Sequence, residues 1–335
     1  MPPYRAPAWL PGGHLQTIYP ALAASPAGPP LRRERWLAPD GDFVDVDLLD
    51  GVPGRPTVVL FHGLEGSSRS HYARALMAAL AARGWSGAVP HFRGCSGEAN
   101  LAPRFYHSGD AAEIDWIVRH LKARASGVLF AAGVSLGGNA LLRWLGEAQQ
   151  QAAIVSAACA ISAPLDLAQG GIALSSGFNL LYTRMFLRTL KPKCLHKLDQ
   201  FPGLFDRTAL LAARDLYAFD NVVTAPLHGY KNTDDYWDRA SAKHVLHDIT
   251  VPTLVLNARN DPFLPGRHLP PSAAAAVTLR YTEQGGHVGF MVGAPPGRLD
   301  WLPQSMLAFF DEHGGSRAPT FAPLCEADAQ GSTHG

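Results

Sequence analysis

Ser135 lies at the centre of Gly133-Val134-Ser135-Leu136-Gly137. A serine hydroxyl is a weak nucleophile until a neighbouring base takes its proton, and that base needs an acid to orient it. Glycines on either side of a serine suit a sharp strand-to-helix turn, where a larger neighbour would clash with the strained backbone. Two later segments offer the partners. Asp261 lies in Ala258-Arg259-Asn260-Asp261-Pro262-Phe263, a proline-marked turn, and His287 lies in the glycine-rich Gln284-Gly285-Gly286-His287-Val288-Gly289-Phe290. Serine, acid, histidine is one of the chain orders in which such relays recur. Asp166, after an earlier strand, is the rival acid. Acyl transfer also needs two donors aimed at the developing oxyanion, one of them the amide after the nucleophile. Leu136 and Leu64 hold those positions, the latter after His62-Gly63, where glycine lets the backbone approach a substrate. His62 suits holding that loop better than carrying protons. Arg93, in His91-Phe92-Arg93-Gly94-Cys95, fits either a wall of the pocket or a buried cation pinning loops. Cys95 lacks the strand-to-helix elbow context of a nucleophile.

These residues need a scaffold that brings loop ends together. Thr57 to Phe61 is a β-branched run closed by His62-Gly63, the pattern of a buried strand, and Tyr72 to Arg83, stopped by Gly84, reads as a helix. Gly87 to Pro90 and Gly127 to Gly133 read as strands flanking a helix with Ile114, Ile117, Val118 and Leu121 on one face. Ile154 to Ile161, Thr253 to Asn257 and Val277 to Tyr281 continue the strands, and Pro303 to Glu312 reads as a closing helix. Alternating strands and helices predict a mostly parallel sheet covered on both faces. The segment from Asp166 to about Arg239 has no strand pattern. Its Phe178 to Leu190 is apolar nearly all round, and it reads as a helical cap. The expected division is an irregular Pro- and Ala-rich arm at 1–32, core at 33–165, cap at 166–240, core again at 241–312, and a disordered tail at 313–335.

The 335 residues are 47% hydrophobic and 17% charged, which suits a globular protein with a large core. With 29 basic and 28 acidic residues the net charge is +1. No long-range field favours nucleic acid or an anionic surface, and a small neutral substrate fits best. Cys95, Cys159, Cys194 and Cys325 have no paired spacing, so neither metal nor disulfides are expected. No cofactor is required by the chemistry. The N-terminus lacks a secretory pattern and no window has the ~20 apolar residues of a membrane span, so a cytoplasmic location is expected.

Taken together, the motifs resemble the YheT-like branch of the α/β-hydrolases, bacterial relatives of eukaryotic ABHD carboxylesterases and lipases. The matching segments are Trp9-Leu10-Pro11-Gly12-Gly13-His14-Leu15-Gln16-Thr17, His62-Gly63-Leu64-Glu65-Gly66-Ser67, Phe92-Arg93-Gly94, Gly133 to Asn139, Asp261-Pro262 and Gly286-His287. Tyr230-Lys231-Asn232 and Asp235-Tyr236-Trp237 at the cap's exit match as well. The resemblance covers roughly residues 4 to 312 and implies the α/β-hydrolase fold, a charge relay on Ser135, Asp261 and His287, and hydrolysis of carboxylic esters with short or medium acyl chains. The apolar cap favours a lipid-like or short acyl ester over a charged peptide. Transfer of the acyl group to an alcohol or thiol, a monoacylglycerol lipase activity and a non-catalytic ligand-binding role are the alternatives.

Overall fold

The computed structural model of the chain describes residues 3–23 and 27–314. The arm expected to be irregular carries a helix, α1 (Gly12–Ala23), with Pro20 inside it. Proline and alanine content hid this element, which is held by contacts with the far end of the chain rather than by local pattern. A hairpin follows, β1 (Arg32–Leu37) and β2 (Phe43–Leu49), paired antiparallel. The sequence RRERWL of β1 hides a strand because it lies at the sheet edge with most side chains in water.

The alternating elements come next: β3 (Thr57–Phe61), α2 (His71–Ala82), β4 (Ser86–Pro90), α3 (Ala111–Arg124), β5 (Leu129–Val134), α4 (Leu136–Ala148) and β6 (Ala157–Ile161). The strand expected from Ile154 starts three residues later, because Gln149–Ile154 winds into a 3-10 turn. The inserted segment is wholly helical: α5 (Leu167–Leu174), α6 (Leu180–Gln200), α7 (Arg207–Ala212), α8 (Leu216–Val222), α9 (Thr224–Leu227) and α10 (Thr233–Ala240). Then β7 (Thr253–Ala258), β8 (Val277–Thr282) and α11 (Trp301–His313) complete the fold. Pro303 falls in the first turn of α11, where its missing N–H costs nothing. Helix α11 runs to His313, past the expected start of the tail, and residues 315–335 lie outside the described ones.

The eight strands form one sheet in the order β1-β2-β4-β3-β5-β6-β7-β8, parallel from β4 to β8. The chain leaves β3 for β4 on one side and returns to β5 on the other. At such a reversal the loops beyond the strands' C-terminal ends diverge and leave a crevice for a ligand. Every residue of β5 is buried, and its side chains alternate between two cores. Leu129 and Ala131 join α3 and α4 on one face, while Phe130, Ala132 and Val134 join α2 and α11 on the other. Phe130 stacks on Phe310 at 4.6 Å between ring centres. The cap has its own small core around Leu187, Cys194, Leu198, Leu210, Phe219 and Val223. Helix α6 carries apolar residues on more than one face but buries only one of them: Tyr182, Thr183 and Leu187 turn inward, and Leu181 and Met185 face water.

Candidate active site

Ser135 joins β5 to α4 with φ 54° and ψ −121°, a conformation that a side-chain-bearing residue adopts only when its surroundings enforce it. Its amide is tied to Ile161 O at 2.8 Å. The flanking glycines are required by space. A Cβ on Gly133 would lie 2.4 Å from Gly137 O, and one on Gly137 would lie 2.4 Å from His62 O. The turn therefore places the Ser135 hydroxyl beyond the end of β5, beside the loop that follows β3.

Asp261 follows β7 and His287 follows β8, so adjacent parallel strands deliver both to the same sheet edge. His287 Nε2 lies 2.9 Å from Ser135 Oγ, and Nδ1 lies 2.9 Å from Asp261 Oδ2. An ionised carboxylate only accepts hydrogen bonds, so Nδ1 carries the ring hydrogen and Nε2 is left to accept from the serine hydroxyl. Asp261 is buried, its other oxygen accepts from Phe263 N at 2.8 Å, and the Phe263 ring stacks on the imidazole at 4.0 Å. Beyond the histidine, Val288 and Phe290 have positive φ values of 62° and 40°. Ser162 Oγ accepts from Val288 N, and His71 Nε2 donates to Val288 O. The rival Asp166 caps α5 by accepting from Gln169 N and pairs with Lys243 at 2.7 Å.

The loop after β3 is pinned on both sides of Leu64. Gly63 N donates to Tyr72 OH, and Glu65 N donates to Tyr106 OH. The Leu64 amide between them has no acceptor among the described residues, and neither has the Leu136 amide at the start of α4. Gly63 packs against Ser135, for a Cβ there would lie 3.1 Å from Ser135 Cβ. His62 is fully buried; its Nδ1 donates to Gly63 O at 2.7 Å and its Nε2 accepts from Phe92 N at 3.0 Å. Both nitrogens are thus used by a neutral ring, and burial pushes its pKa down to about 3. Arg93 does not reach the pocket. Its guanidinium is buried against Glu113 at 2.6 Å, Asp40 at 2.7 Å and Asp42 at 2.9 Å, because three carboxylates outcompete an apolar wall for a cation.

Ser135 and His287 open into a pocket of ≈ 1060 Å³, its open mouth included, between sheet and cap. Leu174, Phe186, Leu190, Phe219, Trp237 and Phe263 make most of its wall apolar. The charged groups on the wall are few. Glu65 receives Lys193 Nζ from the cap at 2.8 Å, and Asp220 accepts from Thr224 Oγ1 and Trp237 Nε1. Among the described residues no cluster of His, Cys, Asp and Glu could hold a metal ion.

Three site residues were missed by sequence reasoning: Gln16, Thr17 and Asn260. Gln16 is buried, its Oε1 accepts from Asn260 Nδ2 and Gly285 N at 2.9 Å each, and its Nε2 donates to Leu10 O and Gln284 Oε1. Asn260 Oδ1 accepts from Gly286 N, and Thr17 Oγ1 accepts from His287 N at 2.8 Å. The arm lies flush on both loops. A Cβ on Gly13 would meet Asn260 O at 2.0 Å, and one on Gly289 would meet Gln16 O at 1.8 Å. The segment Trp9 to Thr17 was recognisable as a motif, but its residue types carry no chemistry that would have revealed this role.

The alpha/beta hydrolase fold family model matches residues 56–294. YheT of Escherichia coli (strain K12) is 38% identical over 297 residues, covering 86% of this chain and 87% of YheT. Phospholipase ABHD3 of Mus musculus is 28% identical over 327 residues, 93% of this chain and 79% of the relative. Monoacylglycerol lipase of Saccharomyces cerevisiae (strain ATCC 204508 / S288c) is 29% identical over 277 residues, covering 77% of this chain and 59% of that protein. The esterase Pf2001 of Pyrococcus furiosus superposes with a TM-score of 0.53 at 15% identity, over 85% of this chain and 93% of the other, a likeness of fold. On the family match and the YheT identity, each spanning most of the sequence, the chain belongs to the α/β-hydrolases, in their YheT-like branch.

Proposed function

We propose that the protein is a serine esterase that cleaves carboxylic esters with apolar acyl groups. The observation that carries the reading is the unbroken contact from Ser135 Oγ through the His287 ring to Asp261, at 2.9 Å on each side. In the first step Ser135 attacks the ester carbonyl while His287 Nε2 takes its proton. Asp261 holds the ring in the tautomer that leaves Nε2 free to accept, and stabilises the imidazolium. Negative charge on the carbonyl oxygen is met by the Leu64 and Leu136 amides, whose hydrogens have no competing acceptor among the described residues. The imidazolium then returns the proton to the departing alcohol, and a water activated by the same ring releases the acyl group from Ser135.

The pocket wall supports an apolar acyl chain, since Leu174, Phe186, Leu190 and Phe219 offer carbon surface and few hydrogen-bonding groups. Names of relatives point toward lipid substrates as well: one is a phospholipase and another a monoacylglycerol lipase. Fluorophosphonate labelling of the purified chain tests the reading. Wild type is expected to label, and Ser135→Ala and His287→Ala to lose the label while remaining folded. A folded wild type that does not label would leave a ligand-binding role as the better account.

A further inference from the structure

Helix α6 turns two chemically different faces in opposite directions. Phe186, Leu190, Lys193 and Cys194, at helical spacing, line the pocket. Leu181, Arg184, Met185 and Arg188, also at helical spacing, are exposed. The turn before the helix adds Phe178, and α5 adds Ile172. Ile172, Phe178, Leu181 and Met185 are each between 45% and 58% exposed, which is unusual for large apolar side chains so close in sequence. The His14 ring lies against Phe178 at 4.6 Å, so the neighbouring Leu15, 49% exposed, extends the same surface onto α1.

Charge in this stretch is one-sided. From Leu167 to Leu198 there is no aspartate or glutamate, whereas Arg184, Arg188, Lys191, Lys193 and Lys197 all occur. The three lysines are engaged: Lys191 with Leu211 O and Ala213 O, Lys193 with Glu65, and Lys197 with Asn100 O. The two arginines stand in water among the exposed apolar side chains.

We propose that the outer face of α6, together with Phe178, Ile172 and Leu15, docks on an anionic lipid surface. Apolar side chains that enter the acyl boundary, ringed by arginines that meet anionic headgroups, are what an interfacial helix requires. A second copy of the chain is a poorer occupant, because a symmetric contact would bring four arginines together with no acid to balance them. The same helix walls the pocket, so docking would place the site beside the membrane. The inference does not depend on the esterase reading, since it concerns residues that face away from Ser135.

The experiment is co-sedimentation of the full chain carrying Ser135→Ala, which prevents hydrolysis, with phosphatidylcholine vesicles that contain or lack phosphatidylglycerol. Binding is expected with phosphatidylglycerol, weaker binding without it, and release by salt. Arg184→Glu with Arg188→Glu is expected to lower the partition coefficient roughly tenfold or more, and Leu181→Ser with Met185→Ser to lower it as well. Both pairs should keep the parent's far-UV circular dichroism spectrum and melting temperature, which shows that the fold is intact. Absence of binding to phosphatidylglycerol vesicles, equal binding to both vesicle types, or binding unchanged by the arginine substitutions would each overturn the proposal. Sedimentation of the protein without vesicles would do the same in favour of self-association.

Discussion

Ser135, Asp261 and His287 were legible because each carries its context in its immediate neighbours: glycines that permit a strained turn, a proline turn after a strand, a glycine-rich loop after the next. Thr17 is the opposite case. Its hydroxyl accepts from His287 N across 270 residues of chain, and nothing within the arm announces that partner. The contact fixes the backbone that carries the imidazole, so its loss should disturb the chemical step more than binding. Leaving a part-buried amide without an acceptor costs about 1–3 kcal/mol. If about half of that appears as displacement of the ring, Thr17→Val should lower kcat roughly 3- to 10-fold. KM for p-nitrophenyl butyrate should change little, and Thr17→Ser, which keeps the hydroxyl, should restore the rate. A variant with wild-type kcat would show that the arm merely covers the loop.

Among elements, strands written as apolar or β-branched runs were readable even at the sheet edge, as β8 was, and the charged hairpin of β1 and β2 was not. Strands β3 and β5 are uninterrupted apolar runs because both faces meet core, whereas β1 shows water most of its side chains and reads as charged coil. The cap's helical character was legible from the lack of strand pattern, but the two faces of α6 were not, since a pocket wall and a solvent face both recruit apolar residues there. Helix α4 shows how the cap is tied down. Asn139, fully buried, donates from Nδ2 to Ser108 O at 2.9 Å and to Ala240 O at 2.8 Å, and its Oδ1 accepts from Ala242 N at 3.0 Å. One side chain thus joins the helix behind Ser135 to the loop before α3 and to the exit of the cap. Asn139→Ala would leave two carbonyls and one amide without partners, at a cost of about 3 kcal/mol, allowing for relaxation. Urea unfolding should show a lower midpoint, and the part that remains folded should keep its reactivity toward fluorophosphonate.

Over the whole molecule the near-zero net charge was a true average that concealed local structure, from the acid-free stretch of the cap to the carboxylates gathered on Arg93. Buried titratable groups give that arrangement a measurable consequence. Burial pushes His62 and His107 down to about 3, and it pushes Asp220 up to about 6 against the bonds from Thr224 and Trp237. A histidine held neutral in the fold but protonated near pH 6.5 once unfolded draws the chain toward unfolding as pH falls from 6.5 toward 3. Asp220 acts in the reverse sense. Between pH 3.8 and 6 the folded chain keeps a proton that the unfolded chain has released, so its contribution is fully present below pH 3.8 and is lost as pH rises through 6. In that window Asp220 therefore offsets one of the histidines. Stability of the wild type, from urea titrations, should fall as pH is lowered from 7 to 4. Asp220→Asn should make that fall steeper by about 1.4 kcal/mol per pH unit between pH 4 and 6, because the offsetting proton is gone while the histidines remain. Parallel curves for the two proteins would mean that Asp220 is ionised in the folded chain and that its oxygens, bonded to Thr224 and Trp237, hold the cap helices as a carboxylate.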